Sequence, residues 1–210
     1  KVPKTEEEWQ EVERRGAAGL AGNTTTHYDF ITPEYQVFDS QQPVKWECTR
    51  GIGRSFGFNR TECGSDYLNG AQIIDMLVRI VSRGLLLNIG PRADGTVPYE
   101  QVKPLLETGE WLRVNGEAIY GTRPHSTLEY KDADGCSVCM TKTRDALYAI
   151  ALRPDMPASY EVKGLMLEEN AHVELLGAGE VQWFAEEDCT VFNLPENLPK
   201  QAAYTLKIHR

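Results

Sequence analysis

One short segment decides the fold class of this chain: Leu85-Leu86-Leu87-Asn88-Ile89. A continuous apolar run of this length, bounded by Gly84 and by Gly90-Pro91, is typical of a parallel strand that is buried on both faces. The flanking segments have helical periodicity, because apolar residues recur near 3.6 spacing over residues 65–83 and again over residues 98–115. A helix, a buried strand and a second helix in this order predict an α/β arrangement.

The second helix carries two further expectations. Its buried face is predicted to consist of Val102, Leu105, Leu106 and Leu112. Pro104 is expected to bend the helix or shorten its first turn, because proline cannot donate a backbone hydrogen bond.

The region before these elements contains one predicted helix and a long irregular stretch. Residues 5–15 predict the helix, since a threonine hydroxyl precedes acidic residues and the segment ends in basic ones, as the helix dipole favours. Residues 16–58 have little regular pattern and are rich in glycine, threonine, proline and aromatic residues. Loops of this kind carry binding and catalytic residues more often than regular elements do.

After about Thr122 the pattern changes to short segments of alternating or β-branched residues separated by turns. Six strands are predicted, over residues 126–130, 136–141, 146–152, 172–176, 190–194 and 203–208. The turn at residues 132–135 is too short for a calcium loop and predicts a hairpin. We therefore expect two domains, an α/β part over residues 1–122 and a small antiparallel β-sandwich over residues 123–210.

Composition excludes several classes of partner. The chain has 210 residues and a formal net charge of -9 without a basic patch, so binding to nucleic acid or to anionic lipid is not expected. No apolar stretch approaches the roughly 20 residues that a membrane-spanning helix needs. The sequence thus predicts no nucleic-acid partner and no membrane partner.

Cysteine and histidine usage predicts neither a disulfide framework nor a metal site. The five cysteines are an odd, scattered set, which indicates reduced thiols and favours a cytoplasmic location over a periplasmic or secreted one. Cys136 and Cys139 form a Cys-x-x-Cys pair, but no second pair follows at zinc spacing. The four histidines are far apart in the sequence. We expect no metal ligands and no cofactor.

Carboxylates and aromatic side chains occur together in the irregular stretch. Glu34 and Glu47 lie near Trp46, Phe56 and several other aromatic residues. An aromatic face packs against the C–H surface of a sugar ring, and a partly desolvated carboxylic acid can protonate a leaving oxygen. The combination indicates a carbohydrate site, although such loops are also common in proteins without one.

Five stretches, in order, resemble the α-L-fucosidases of glycoside hydrolase family 29. They are residues 29–35, residues 45–59 with their Lys-Trp-Glu and Ser-Phe-Gly-Phe motifs, residues 85–98, residues 109–112 and residues 115–122. The resemblance implies the C-terminal half of a (β/α)8 barrel followed by an antiparallel β-sandwich domain. It also implies hydrolysis of terminal α-L-fucosides on glycans or small fucosides, with retention and without a cofactor.

The resemblance assigns roles to four residues of this chain. Glu34 matches the position of the general acid/base, and Glu47 is the alternative, because family members differ in which glutamate serves. Phe56 matches a position that packs on the methyl side of fucose. Trp46, next to Glu47, is expected to contact substrate and to shield that carboxyl group from water.

One part of the family pattern has no match in this chain. The family's nucleophile lies in a Trp-Asn-Asp type motif, which does not occur in these 210 residues. A full eight-stranded barrel takes about 250 residues, so residues 1–122 suffice for only half of one. We therefore expect the chain to be incomplete or inactive alone and to pair with a complementing N-terminal half-barrel or with a second copy. The alternative is a non-catalytic carbohydrate-binding or structural remnant.

Overall fold

A small parallel sheet, a pair of α-helices and a large antiparallel sheet make up the described part of the chain. The computed structural model describes residues 30–38, 40, 42, 44–81 and 85–210, together with Glu7. The helix predicted over residues 5–15 lies, apart from Glu7, outside the described residues, as do residues 16–29 and Gly84.

The parallel part consists of three adjacent segments. Strand β1 (Cys48–Gly51) pairs in parallel with β2 (Leu85–Asn88), with Cys48 opposite Leu85. Residues 31–34 lie on the other side of β1, where the bridges Ile31–Trp46 and Glu34–Thr49 are also parallel. The parallel strand predicted from the leucine run is therefore confirmed, and its carboxyl end lies beside those of its neighbours.

Helix α1 (Gly70–Val81) lies between the two sheets and packs against both. It begins later than predicted because Asn69 and Gln72 exchange side-chain to backbone hydrogen bonds of 2.9 and 3.0 Å, which satisfy free N–H groups at the helix start. Ile80 packs against Trp46 on the parallel side. Ile74 and Val78 pack into a second core, which is built on the antiparallel sheet.

Helix α2 (Tyr99–Asn115) buries most deeply a set of residues that the sequence pattern does not predict. Leu106 is 64% exposed, whereas the buried positions are Gln101, Pro104, Thr108, Trp111 and Asn115. The predicted face is confirmed in part, since Val102, Leu105 and Leu112 are half-buried. The most buried positions include polar residues because hydrogen bonds make those positions suitable for burial. The Trp111 indole N–H, for example, donates to the Ala203 carbonyl at 2.8 Å.

The antiparallel sheet has nine strands in the described part of the chain. They are β3 (Arg123–Asp132), β4 (Ser137–Lys142), β5 (Ala146–Ala151), β6 (Ser159–Lys163), β7 (Val173–Leu175), β8 (Gly179–Glu180), β9 (Gln182–Ala185), β10 (Cys189–Asn193) and β11 (Tyr204–His209). Their spatial order is β8-β7-β11-β5-β4-β3-β6-β10-β9. The six predicted strands and the β3–β4 hairpin are confirmed, with ends that differ by up to three residues.

The sheet curls until its two edges approach each other. Its edge strands, β8 and β9, are separated in sequence by Val181 alone. The Val181 N–H donates to the Val173 carbonyl at 2.9 Å. The fold is therefore one nearly closed sheet rather than the predicted two-sheet sandwich. Residue pattern could not indicate this, because β8 is only two residues long and β9 is largely exposed.

Two hydrophobic cores share the central strands. Met140 and Ala149 face the interior of the curled sheet, whereas Cys139, Tyr148 and Ile150 face α1 and α2. Alternate residues of a strand point to opposite faces, so β5 is buried at every position. The helices thus cover one part of the outer face of the sheet. Among the described residues, no helix has both the length and the apolar character that crossing a membrane requires.

Candidate active site

The loops that follow the three parallel segments meet at one end of the small sheet. Tyr35 follows the first segment, residues 52–66 follow β1, and residues 89–98 follow β2. Ligand sites in sheets of this kind lie at the carboxyl ends of the strands. The loops at this end of the sheet therefore form the candidate site.

Glu34 and Glu47 lie on the same face of the parallel segments. Glu34 bridges Thr49, and partners in a bridge point to the same side. Glu47 precedes Thr49 by two residues and so shares its face, about 7 Å deeper along the strand. Glu34 is exposed and Glu47 is half-buried. The two predicted carboxylates therefore belong to one surface, with Glu34 nearer the rim.

Trp46 lies on the opposite face, toward α1. Its side chain is 6% exposed and packs with Ile80 and edge-to-face with Phe38, at 4.8 Å between ring centroids. Arg50 has the same orientation, since its guanidinium contacts the sulfur of Met76 at 3.6 Å. In this geometry Trp46 supports the strand that carries Glu47 instead of adjoining Glu34, and its predicted contact with substrate remains an expectation.

Tyr35 links the rim to the loop after β1. Its backbone has φ 55°, a left-handed conformation that is rare for a bulky residue and is often found at functional sites. The Gly51 N–H donates to the Tyr35 hydroxyl at 3.2 Å, and that hydroxyl lies 3.4 Å from the Arg54 carbonyl. The Tyr35 ring packs edge-to-face on Phe56 at 5.2 Å. Phe56 is 40% exposed, and its neighbour in this contact, Tyr35, directly follows Glu34 in the sequence.

Two half-buried carboxylates fix the shape of this loop. Glu62 accepts a 2.8 Å hydrogen bond from the Ser55 N–H. The backbone N–H and the thiol of Cys63 lower the pKa of Asp66, whose carboxylate also lies 3.1 Å from Arg54. The pKa of Tyr67 is raised by burial and by the charge of Glu62. These contacts hold Phe56 in place without involving Glu34.

The loop after β2 closes the same end of the sheet. Gly90 lies so close to Gly57 and Phe58 that an added Cβ would approach their backbone atoms to 2.8–2.9 Å. The buried Gln101 amide accepts from the Gly90 N–H at 2.9 Å and donates to the Gly90 carbonyl at 3.0 Å. Arg92 lies over the Phe58 ring at 5.4 Å. Gln101 thus fixes the β2 loop against the β1 loop.

Replacing Gln101 with leucine is expected to lower the free energy of unfolding by about 1–3 kcal/mol, because both backbone groups of Gly90 lose their buried partner. Urea denaturation followed by circular dichroism measures the change. Gln182→Leu is the matched control, since Gln182 is exposed on β9, and it is expected to change stability by less than about 0.5 kcal/mol. Equal effects of the two substitutions would contradict this role for Gln101.

Tyr35 and Gln101 were not singled out from the sequence as parts of the site. The positive φ of Tyr35 has no sequence signal, because glycine or asparagine would be the usual residue in that conformation. Gln101 does have one signal. It begins the 101-104-108-111-115 face of α2, and a polar residue on a buried face indicates a specific partner.

Comparison with known proteins identifies relatives of this chain. A family model described as Alpha-L-fucosidase matches residues 8–117, which is more than half of the chain. The chain belongs to the α-L-fucosidase family. The match covers the parallel segments, α1, α2 and every candidate residue discussed above, so the family resemblance seen in the motifs is confirmed.

Family members align with the chain over part of their own length. Human tissue α-L-fucosidase is 33% identical over 173 residues, which are 78% of this chain and 37% of that protein. The Dictyostelium discoideum α-L-fucosidase is 45% identical over 85 residues. The structure of Thermotoga maritima α-fucosidase with a mechanism-based inhibitor superposes with a TM-score of 0.81 at 33% identity, covering 89% of this chain and 44% of that one. The match to the Dictyostelium enzyme covers 40% of this chain and 18% of that protein. The chain therefore spans less than half the length of each of these relatives.

Proposed function

We propose that the chain is the C-terminal part of a retaining α-L-fucosidase that releases terminal α-L-fucose from glycans or small fucosides. In this proposal residues 1–122 belong to a (β/α)8 barrel and residues 123–210 form an accessory β domain. Three adjacent parallel segments, with α1 packed outside them, support the barrel assignment. The family match over residues 8–117 supports the activity.

Glu34 is the proposed general acid/base. The observation that carries this assignment is its place at the carboxyl end of a parallel segment, on the face away from α1. Glu47, the alternative, shares the face but lies deeper. A donor to a departing oxygen needs access to the leaving group, which favours the exposed Glu34.

The two aromatic residues, Phe56 and Trp46, have different proposed roles. Phe56 packs against the apolar side of fucose, since its ring is exposed and is braced by Tyr35. Trp46 has an effect on substrate through the strand it supports, because it packs on the α1 side of that strand.

The proposed chemistry takes two carboxyl groups about 5–5.5 Å apart. An aspartate attacks the anomeric carbon and displaces the aglycone, whose oxygen takes the proton of Glu34. The Glu34 carboxylate then removes a proton from water, which attacks the same carbon and releases both fucose and the aspartate. No Trp-Asn-Asp motif occurs in this sequence, so we propose that a complementing half-barrel supplies the aspartate.

Hydrolysis of 4-nitrophenyl α-L-fucoside tests the proposal. The chain is assayed alone and after co-expression with the N-terminal part of the Thermotoga maritima enzyme that the match leaves uncovered. We expect fucose release only from the co-expressed sample. Fucose binding without turnover in either sample would support the non-catalytic remnant instead. Turnover by the chain alone that Glu34→Gln abolishes would refute the need for a complementing half.

A further inference from the structure

Two histidines and two glutamates converge on the outer face of the antiparallel sheet, beyond the part that the helices cover. The backbone N–H of His209 on β11 donates to the backbone carbonyl of His172 at 2.9 Å. Because His172 directly precedes β7, the two residues are direct neighbours where β11 and β7 pair. Glu174 follows His172 by two residues on β7 and therefore shares its face. Glu180 on β8 is the register partner of Glu174. Three adjacent strands thus present all four side chains together.

The side-chain atoms are close enough to share one ion. Nε2 of His209 lies 3.0 Å from Oε1 of Glu174, and Nδ1 of His172 lies 3.8 Å from the same oxygen. The potential ligand atoms of these three residues all lie within 4.8 Å of one another. Ligands of a tetrahedral zinc ion with bonds of about 2.0–2.2 Å are roughly 3.4 Å apart. Small side-chain rotations are sufficient to reach that spacing.

We propose that His172, Glu174 and His209 bind a divalent transition-metal ion, with Zn²⁺ as the expected occupant. Two imidazoles and a carboxylate are a ligand set that Zn²⁺ favours, whereas Mg²⁺ and Ca²⁺ require mostly oxygen ligands. Glu180 lies 3.9 Å from Nε2 of His172 and is placed to add a fourth ligand or to orient that ring.

The surroundings leave the carboxylate available and the site open. Lys207, the cross-strand neighbour of Glu174, pairs instead with Glu117 at 2.9 Å. His172 and Glu180 also line an open cleft of about 410 Å³, which gives an ion a path to the ligands. Sequence spacing could not indicate this site, because only the β7–β11 pairing brings the two histidines together.

Isothermal titration of the metal-free full chain with ZnCl₂ tests the proposal. We expect one site per chain that is weakened at least about tenfold by His172→Gln or by His209→Gln. His125→Gln is the matched control, since His125 bonds within β3 to Thr127 and is expected to leave binding unchanged. Circular dichroism checks that each variant is folded. Glu174→Gln keeps the shape of the side chain and is expected to weaken binding without loss of fold.

Cobalt substitution separates this site from binding by exposed thiols such as Cys63. A nitrogen and oxygen ligand set gives visible d–d absorption without sulfur-to-cobalt charge transfer. Three results would each overturn the proposal: no Zn²⁺ binding, binding that survives loss of both histidines, or a cobalt spectrum with thiolate bands that His209→Gln leaves intact.

Discussion

Replacing Glu34 with glutamine in the complemented enzyme is expected to lower kcat/KM for fucosides with poor leaving groups by about 10²–10⁴-fold. Glutamine keeps the size of the side chain but cannot donate a proton to the aglycone oxygen. Fucosides whose aglycone departs without protonation, such as a dinitrophenyl fucoside, should lose much less in the glycosylation step. Steady-state rates across a series of aryl fucosides of increasing leaving-group pKa measure this difference.

Azide and the Glu47→Gln variant serve as controls for that result. Azide attacks the fucosyl-enzyme without needing a general base, so it should restore turnover of activated substrates by Glu34→Gln and yield fucosyl azide. Glu47→Gln should give neither this rescue nor a steep dependence on leaving-group pKa. If the two variants exchange these properties, Glu47 is the acid/base and the assignment of Glu34 is wrong.

Replacing Arg153 with methionine is expected to lower the free energy of unfolding by about 3–5 kcal/mol, because it leaves a buried carboxylate without its counter-charge. The Asp132 side chain is 1% exposed and lies 2.9 Å from the Arg153 guanidinium, which is 12% exposed. The same carboxylate accepts the backbone N–H groups of Asp134 and Cys136, at 3.0 and 2.7 Å. The β3–β4 hairpin turn is thus built around a charge that Arg153 neutralises.

A matched substitution at an exposed ion pair tests whether burial is the cause. Arg113 pairs with Glu110 on α2, where both side chains are largely exposed, so Arg113→Met is expected to cost less than about 1 kcal/mol. Urea denaturation compares the two variants. Adding Asp132→Asn to Arg153→Met should recover part of the loss, because it removes the unpaired charge. Similar losses of unfolding free energy for Arg113→Met and Arg153→Met would show that burial does not increase the contribution of the Arg153–Asp132 ion pair.

Local pattern predicted most strands but not the closure of the sheet. The hairpin at residues 132–135 and the apolar run of β5 have strong short-range signals, and both appear in the structure. Closure depends on β8 and β9, which are brief and largely exposed, so neither has a hydrophobic repeat. Long-range pairing of this kind is set by the packing of the whole sheet, which a single sequence does not display.

The sequence predicts candidate site residues but not how their side chains are oriented relative to one another. Family motifs select Glu34 and Glu47, but the residue pattern predicts an irregular stretch over residues 45–51. In fact they run along a parallel neighbour and then into β1, where adjacent side chains alternate. Recognising that strand would have placed Trp46 and Glu47 on opposite faces. The His172–His209 pair depends entirely on strand register and could not be predicted.

Helix α1 links the unfolding of the two sheets. One side of the helix packs on the strand that leads from Glu47, and the other side is part of the core built on β4 and β5. Removing residues 123–210 would expose Ile74, Val78 and Trp111 to water, at a cost of roughly 1.5–3 kcal/mol for each large apolar side chain. The β region is thus not a detachable module. We therefore expect the two regions to unfold in one transition, because loss of the β sheet would remove buried surface from α1 and α2 alike.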